Sequence, residues 1–205
     1  MTAAVLLAAG GSRRLGRAKQ LVEVEVEGAS LLRRAARSAI DGGCRPVVVV
    51  LGAEVEQMRT EVEDLPLELA INPAWREGLA SSIRRGMAAL DDRGDACDLD
   101  AVLLLGCDQP ALDAAVVRRL LEAHRGRGDS PAGIAACQYA DTLGTPAVFG
   151  RGLFGRLRQL RGDRGAKALL LAAAAGVVRV PWPEGARDVD RPGDLPPWPD
   201  TGDEL

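Results

Sequence analysis

The stretch LAAGGSRRLGRAKQ, residues 7–20, sets three glycines (Gly10, Gly11 and Gly16) among four cations (Arg13, Arg14, Arg17 and Lys19) directly after an apolar run. Glycines let a backbone approach a ligand closely. Phosphate oxygens take backbone N–H bonds together with charge-assisted bonds from such cations. The chemistry this loop could serve is therefore that of a polyphosphate. The plainer alternative is a solvated basic turn, because short motifs have many chance matches. No G-K-[ST] follows, so the loop is not a Walker A, and Gly10-Gly11-Ser12 does not satisfy G-x-G-x-x-G.

A second candidate is Asp108, which ends the apolar run AVLLLGCD. From its own residues it reads equally as a turn before Pro110 and as a carboxylate delivered to a sheet edge. Of Asp188 and Asp190, one is expected to be a ligand and the other to cap the following turn. Ser81 and Ser82 stand where a helix opens and serve as capping residues, while free N–H groups there also suit a base or ribose. Trp75 reads equally as a packing plug and as a site residue. His124 is expected at a helix C-terminus, interacting with the dipole. Cys107 reads as a small buried residue, and Asp163, between two glycines, as a structural turn residue.

These groups need a scaffold, and the apolar pattern supplies one. Strand-length runs cover residues 3–8, 47–51, 67–71 and 101–105. VVVV and AVLLL are continuous, as in strands buried on both faces. Leu31, Leu32, Ala35, Ala36, Ala39 and Ile40 form one helical stripe, with Ser30 to cap its start and Gly42-Gly43 to end it. Leu79, Ile83, Met87 and Leu90 form a second, and Val116, Val117, Leu120 and Leu121 a third. Strand–helix alternation predicts an α/β, three-layer, Rossmann-like domain with a mainly parallel mixed sheet. The last third is less regular, with strands expected at 133–137, 147–149 and 177–180 and helices near 153–160 and 166–175. Ligands of open α/β sheets bind at the carboxyl ends of the strands, where both the glycine loop and Asp108 fall.

Composition agrees with this reading. The 205 residues, 47% apolar and 27% charged, predict one domain over 1–195 and a proline-rich tail over 196–205. A formal charge of -3 excludes a generally basic nucleic-acid coat. Four cysteines without C-x-x-C spacing and a single histidine argue against a zinc site. The apolar start lacks a basic n-region, and no apolar run approaches a membrane span, so a reduced cytoplasmic setting is expected. Of the 26 basic residues, all but Lys19 and Lys167 are arginine.

The loop fits L-A-A-G-x-S-x-R-x-G-x-x-K through Leu7, Ala8, Ala9, Gly10, Ser12, Arg14, Gly16 and Lys19. It resembles the signature of the nucleotidyltransferases that make molybdopterin dinucleotide cofactors. Five further segments follow in the family's order. Asn72-Pro73-Ala74-Trp75 with Gly78 and Ser81-Ser82 is similar to N-P-x-W-x-x-G-x-x-S-S. Leu105-Gly106-Cys107-Asp108-Gln109-Pro110 resembles L-[AG]-D-Q-P, and Gly144-Thr145-Pro146-Ala147-Val148-Phe149 resembles G-x-P-x-x-F. Residues 162–167 and 188–192 resemble G-D-x-G-A-R and D-[IV]-D-T-P. Departures are Cys107 for a glycine or alanine, Thr145 where many relatives have histidine, and VEVEVEGAS in place of L-P-L-x-G-K-P.

The resemblance implies transfer of a nucleoside monophosphate to a phosphorylated, pterin-type acceptor with release of pyrophosphate. L-A-A-G resembles the cytidylyltransferase branch, so CTP is favoured and GTP second. Arg14, Lys19 and Asp108 are implied as catalytic. Leu7, Ala8, Ala9, Gly10, Gly11, Ser12, Arg14, Lys19, Asn72, Gly78, Ser81 and Ser82 are implied at the nucleotide, and Asp108 and Asp190 at Mg²⁺. A client molybdoenzyme is the implied protein partner; neither nucleic acid nor membrane is expected. The resemblance extends to nicotine blue oxidoreductases, which gives NAD(P)H-dependent reduction as the alternative activity. A carrier that only binds a phosphorylated cofactor is the non-catalytic alternative. The cytidyldiphospho-methylerythritol enzymes share a glycine loop, but their D-A-A-R-P segment is absent here.

Overall fold

The computed structural model describes residues 1–11, 18–23, 28–126, 133–163, 165–190 and 194. Seven strands form one sheet in the order β3-β2-β1-β4-β6-β5-β7. They are β1 (Thr2–Leu7), β2 (Val47–Leu51), β3 (Glu68–Ile71), β4 (Ala101–Gly106), β5 (Ile134–Tyr139), β6 (Thr142–Gly150) and β7 (Val177–Pro181). β1, β2, β3 and β4 are mutually parallel where they pair. β6 runs antiparallel to both β4 and β5, and β7 is again parallel to β5. The mainly parallel mixed sheet is thus observed, with a hairpin inserted in its second half.

The helices are α1 (Leu31–Asp41), α2 (Val55–Thr60), α3 (Leu79–Asp91), α4 (Ala114–Arg125), α5 (Phe154–Arg158) and α6 (Lys167–Ala172). The continuous apolar strands explain why there are two helical layers. Val47, Val49 and Leu51 of β2 face the core beneath α1 and α4, whereas Val48 and Val50 face the core beneath α3, α5 and α6. Leu103 and Leu105 of β4 divide from Val102 and Leu104 in the same way. Alternate side chains of a strand point to opposite faces, so a strand buried on both sides must be apolar at every position.

Local chemistry sets the helix ends. The Ser30 hydroxyl accepts from the Arg33 N–H at 3.2 Å to cap α1, which closes at Gly42. Asp113 caps α4 by accepting from the Val116 N–H at 2.9 Å. His124 lies in the last turn of α4, as expected. The pattern expected over 153–160 resolves into a 3-10 turn, Arg151–Leu153, followed by the short α5. That expected over 166–175 resolves into α6 and a second turn, Ala174–Gly176. Among the described residues no helix is long and apolar enough to cross a membrane. The tail 196–205 lies outside the described residues.

Candidate active site

β1 and β4 lie side by side at the centre of the sheet, Leu7 opposite Gly106. The chain leaves β1 for α1 and β2 on one side, and β4 on the other side is reached only after α3. This reversal is the topological switch point at which open α/β sheets bind ligands. A cleft of about 420 Å³ opens there. Its wall includes Leu7, Ala9, Gly10, Gly11, Lys19, Gly78, Ser82 and Asp108, all expected from the sequence. Ser12 and Arg14, and with them most of the cationic loop, lie outside the described residues.

Lys19 opens a 3-10 turn, Lys19–Leu21, and its ammonium sits between two carboxylates. Nζ is 3.0 Å from Asp108 Oδ2 and 2.9 Å from Asp190 Oδ1. The side chains of Lys19, Asp108 and Asp190 keep 20%, 34% and 40% exposure, so the cluster is shielded but reachable from the cleft. Burial pulls the Lys19 pKa down, but the charges of Asp108 and Asp190 and their hydrogen bonds outweigh it and hold the ammonium above its ordinary value. Asp190 arrives here because the Val189 N–H donates to the Asp108 carbonyl at 2.8 Å. Val189, fully buried, packs with Val22 and Leu31 in a small separate core. Asp188 is exposed; the alternation along this segment sets buried Val189 apart from Asp188 and Asp190, not the two aspartates apart from each other.

Gln20 was not among the residues singled out by sequence, yet it holds the loop. Buried beside Lys19, its Nε2 donates to the Ala8 carbonyl at 2.9 Å and to the Gly10 carbonyl at 2.6 Å. The only signal in the sequence is a polar residue next to the lysine, which a buried amide does not distinguish from an exposed one. Ala8 itself is buried behind the wall, with its N–H given to the Val50 carbonyl at 3.0 Å.

The second motif builds the opposite wall. Asn72 is buried at the end of β3, and its Nδ2 donates to the Ser81 and Ser82 hydroxyl oxygens at 2.9 and 3.0 Å. Ser81 passes its own proton toward the Ala74 and Gly78 carbonyls at 3.0 and 2.8 Å. Asn72 and Ser81 therefore shape the wall from behind, and Ser82 reaches the cleft. The Trp75 indole closes over Gly11, where an added Cβ would lie 2.9 Å from the ring. Arg76 in turn stacks 4.5 Å above that ring.

One expectation needs correction. The opening N–H groups of α3 are not free for a base or ribose: Leu79 N–H donates to Asp163 Oδ1 at 3.2 Å and Ala80 N–H to the Gly162 carbonyl at 3.1 Å. Gly78 makes this possible, since its φ of 106° turns the chain into the helix and an added Cβ would meet Asp163 and Gly162. Asp163 is structural, as its glycine neighbours suggest, but it also lines the cleft.

Around Asp108, Cys107 is buried, and burial with the neighbouring carboxylate pushes its thiol up to about 12. Gln109 is buried too and donates to the Gly185 carbonyl at 2.9 Å, tying the end of β4 to the turn Pro183–Ala186. The segment containing Thr145 lies in β6, where the Tyr139 hydroxyl donates to the Thr145 carbonyl at 3.0 Å.

The family model of the MobA-like NTP transferase domain matches residues 4–177. Nicotine blue oxidoreductase of Paenarthrobacter nicotinovorans is 34% identical over 148 residues, which cover 72% of this chain and 66% of that protein. The bifunctional protein GlmU of Corynebacterium aurimucosum is 30% identical over 73% of this chain, but the chain spans only 30% of it. Among solved structures, Rv0371c of Mycobacterium tuberculosis superposes with a TM-score of 0.76 at 27% identity, covering 94% of each chain. A structure of Rv0371c in complex with manganese gives a TM-score of 0.73 at 26% identity. With Gly10 and Gly11, the switch-point cleft and the paired carboxylates in place, the chain belongs to the MobA-like NTP transferase domain family, a family of nucleotidyltransferases.

Proposed function

We propose that the protein transfers CMP from CTP to a phosphorylated, pterin-type acceptor and releases pyrophosphate. The observation that carries this reading is the Lys19 ammonium held between Asp108 and Asp190 at the mouth of the glycine loop. An acceptor phosphate oxygen attacks the α-phosphorus, a new P–O bond forms, and the bond to the β-phosphate breaks as pyrophosphate leaves. An ionised acceptor phosphate needs no general base. What the reaction needs is alignment and neutralisation of charge gathering on the leaving oxygens. Arg14 and Lys19 meet the β- and γ-phosphates, and the Gly10-Gly11 backbone lies against the nucleotide. Leu7, Ala9, Gly78 and Ser82 border its base and ribose, with Ser12 completing the loop.

Two carboxylates that already converge on one cation suit a hard divalent ion, and the ammonium marks where it would sit. Asp108 and Asp190 would hold Mg²⁺ there, which when bound supplies Lewis-acid stabilisation of the phosphates. The manganese complex of Rv0371c supports a metal role. The Leu7-Ala8-Ala9-Gly10 sequence supports CTP over GTP, and a client molybdoenzyme in the cytoplasm follows from the acceptor. The domain is read as 1–195.

A thermal-shift panel tests this. Mg²⁺-CTP is expected to raise the melting temperature more than Mg²⁺-GTP, Mg²⁺-UTP or NADPH. An equal or reversed ranking overturns the cytidylyl reading. The 34% identity to nicotine blue oxidoreductase supports a second reading, NAD(P)H-dependent reduction. That reading wins if NADPH alone stabilises the protein.

A further inference from the structure

Two carboxylates on neighbouring segments repel unless a cation stands between them. Here that cation belongs to the chain itself. Lys19 Nζ makes contacts of 3.0 and 2.9 Å to one oxygen of Asp108 and one of Asp190, and the three side chains are partly shielded from water. A divalent ion bound by the same two carboxylates and the ammonium cannot occupy one place. The ammonium must leave, and the polyphosphate is what stabilises it elsewhere: Lys19 and the Gly10-Gly11 backbone line one cleft.

We propose that Lys19 is the resident counter-ion of the Asp108–Asp190 pair, so that a divalent cation enters the carboxylates only as the nucleotide's polyphosphate draws the ammonium away. Metal and nucleotide binding are then reciprocally coupled through one side chain. The arrangement keeps the carboxylates paired in every state, avoiding the cost of unpaired, partly buried charge. It also disfavours a metal-loaded, nucleotide-free protein. This inference rests on the reading that Asp108 and Asp190 form the metal site.

The test uses Mn²⁺ alone, followed by electron paramagnetic resonance, on the full chain without nucleotide. Lys19→Gln is expected to bind Mn²⁺ at least about tenfold more tightly than the native protein, within the usual range of such couplings. That gain should vanish in the Lys19→Gln/Asp108→Asn double variant. Equal, Asp108-dependent binding in the native protein and Lys19→Gln overturns the counter-ion role and leaves the metal site standing. Mn²⁺ binding in Lys19→Gln that ignores Asp108, or no binding at all, overturns both. A second readout needs no variant. With only two lysines in the chain, ε-¹³C-lysine labelling gives two signals, and Lys167 is exposed on α6. The Lys19 signal should stay in place with Mg²⁺ alone and move when CTP is added with Mg²⁺; movement with Mg²⁺ alone, or none with both, overturns the proposal.

Discussion

The backbone N–H of Val189 donates to the carbonyl of Asp108 at 2.8 Å. This bond joins the segment after β7 to the end of β4 and sets Asp190 across from Asp108, with Lys19 between them. Replacing Asp108 removes one side of that arrangement without touching the apolar strand that carries it. Asp108→Ala is expected to lower pyrophosphate release by a factor of about 10² or more, the usual scale for losing an electrostatic stabiliser. A coupled pyrophosphate assay and circular dichroism check it together; near-native turnover in a normally folded variant defeats the assignment.

Gln20 offers a different outcome. Its bond to the Ala8 carbonyl is buried and that to the Gly10 carbonyl partly so, so Gln20→Ala leaves a buried acceptor unsatisfied. The expected cost is about 1–3 kcal/mol for each stranded group, seen as a lower melting temperature, together with a higher KM for the nucleotide. A variant with native stability and KM shows that the loop is held by other groups.

Asp163 caps α3 from a distant loop. Asp163→Ala is expected to destabilise the protein by about 1 kcal/mol, while Asp163→Asn, which keeps an acceptor oxygen, recovers most of it. Urea unfolding of the two variants separates them, and equal losses would mean that the cap is not the reason.

The thiols should react unequally. Cys44, Cys107 and Cys137 are buried, and burial pushes each pKa up to about 12, whereas Cys97 is exposed. At pH 8 a disulfide reagent should modify one thiol per chain quickly, and Cys97→Ser should abolish that phase. Two or more fast thiols in the native protein contradict the burial.

Asp64 provides a pH signature. Its hydrogen bonds with Arg33 hold its carboxyl down to about 2, against about 3.9 in an unfolded chain. A depressed carboxyl contributes stability that is present above the unfolded value and lost as pH falls from about 4 through about 2. Asp64→Asn should flatten that part of the stability profile. Both groups are near the surface, so salt should weaken the effect, and an unchanged acid limb in Asp64→Asn refutes it.

The central strands were legible because burial on both faces leaves no polar position to confuse the pattern; the 47–51 run of valines and Leu51 is β2 residue for residue. The segment around α2 carries no apolar stripe, and Met58 is its single buried side chain, so periodicity had nothing to register. In β6, Gly144, Thr145 and Pro146 interrupt the pattern, which shortens the strand on paper and conceals its antiparallel pairing with β4 and β5. At the site, Lys19, Asp108 and Asp190 were marked by motif. That the three share one contact was not, because it depends on the fold bringing Val189 to β4 and on Val22 and Leu31 receiving it. The capping of α3 by Gly162 and Asp163 was hidden for the same reason: long-range partners leave no local spacing.

The Val22–Leu31–Val189 cluster has a consequence for how the protein comes into being. The residues of β1 to β4 and the glycine loop are synthesised long before residue 189. A growing chain thus carries the strand residues and one carboxylate while the other is still untranslated. The segment after β7 acts as a latch, and until Val189 packs with Val22 and Leu31 the ammonium has a single acidic neighbour of this pair. Competence is conferred by the segment that follows β7, so a nick between β7 and Val189 would unfasten the centre while the sheet stayed whole.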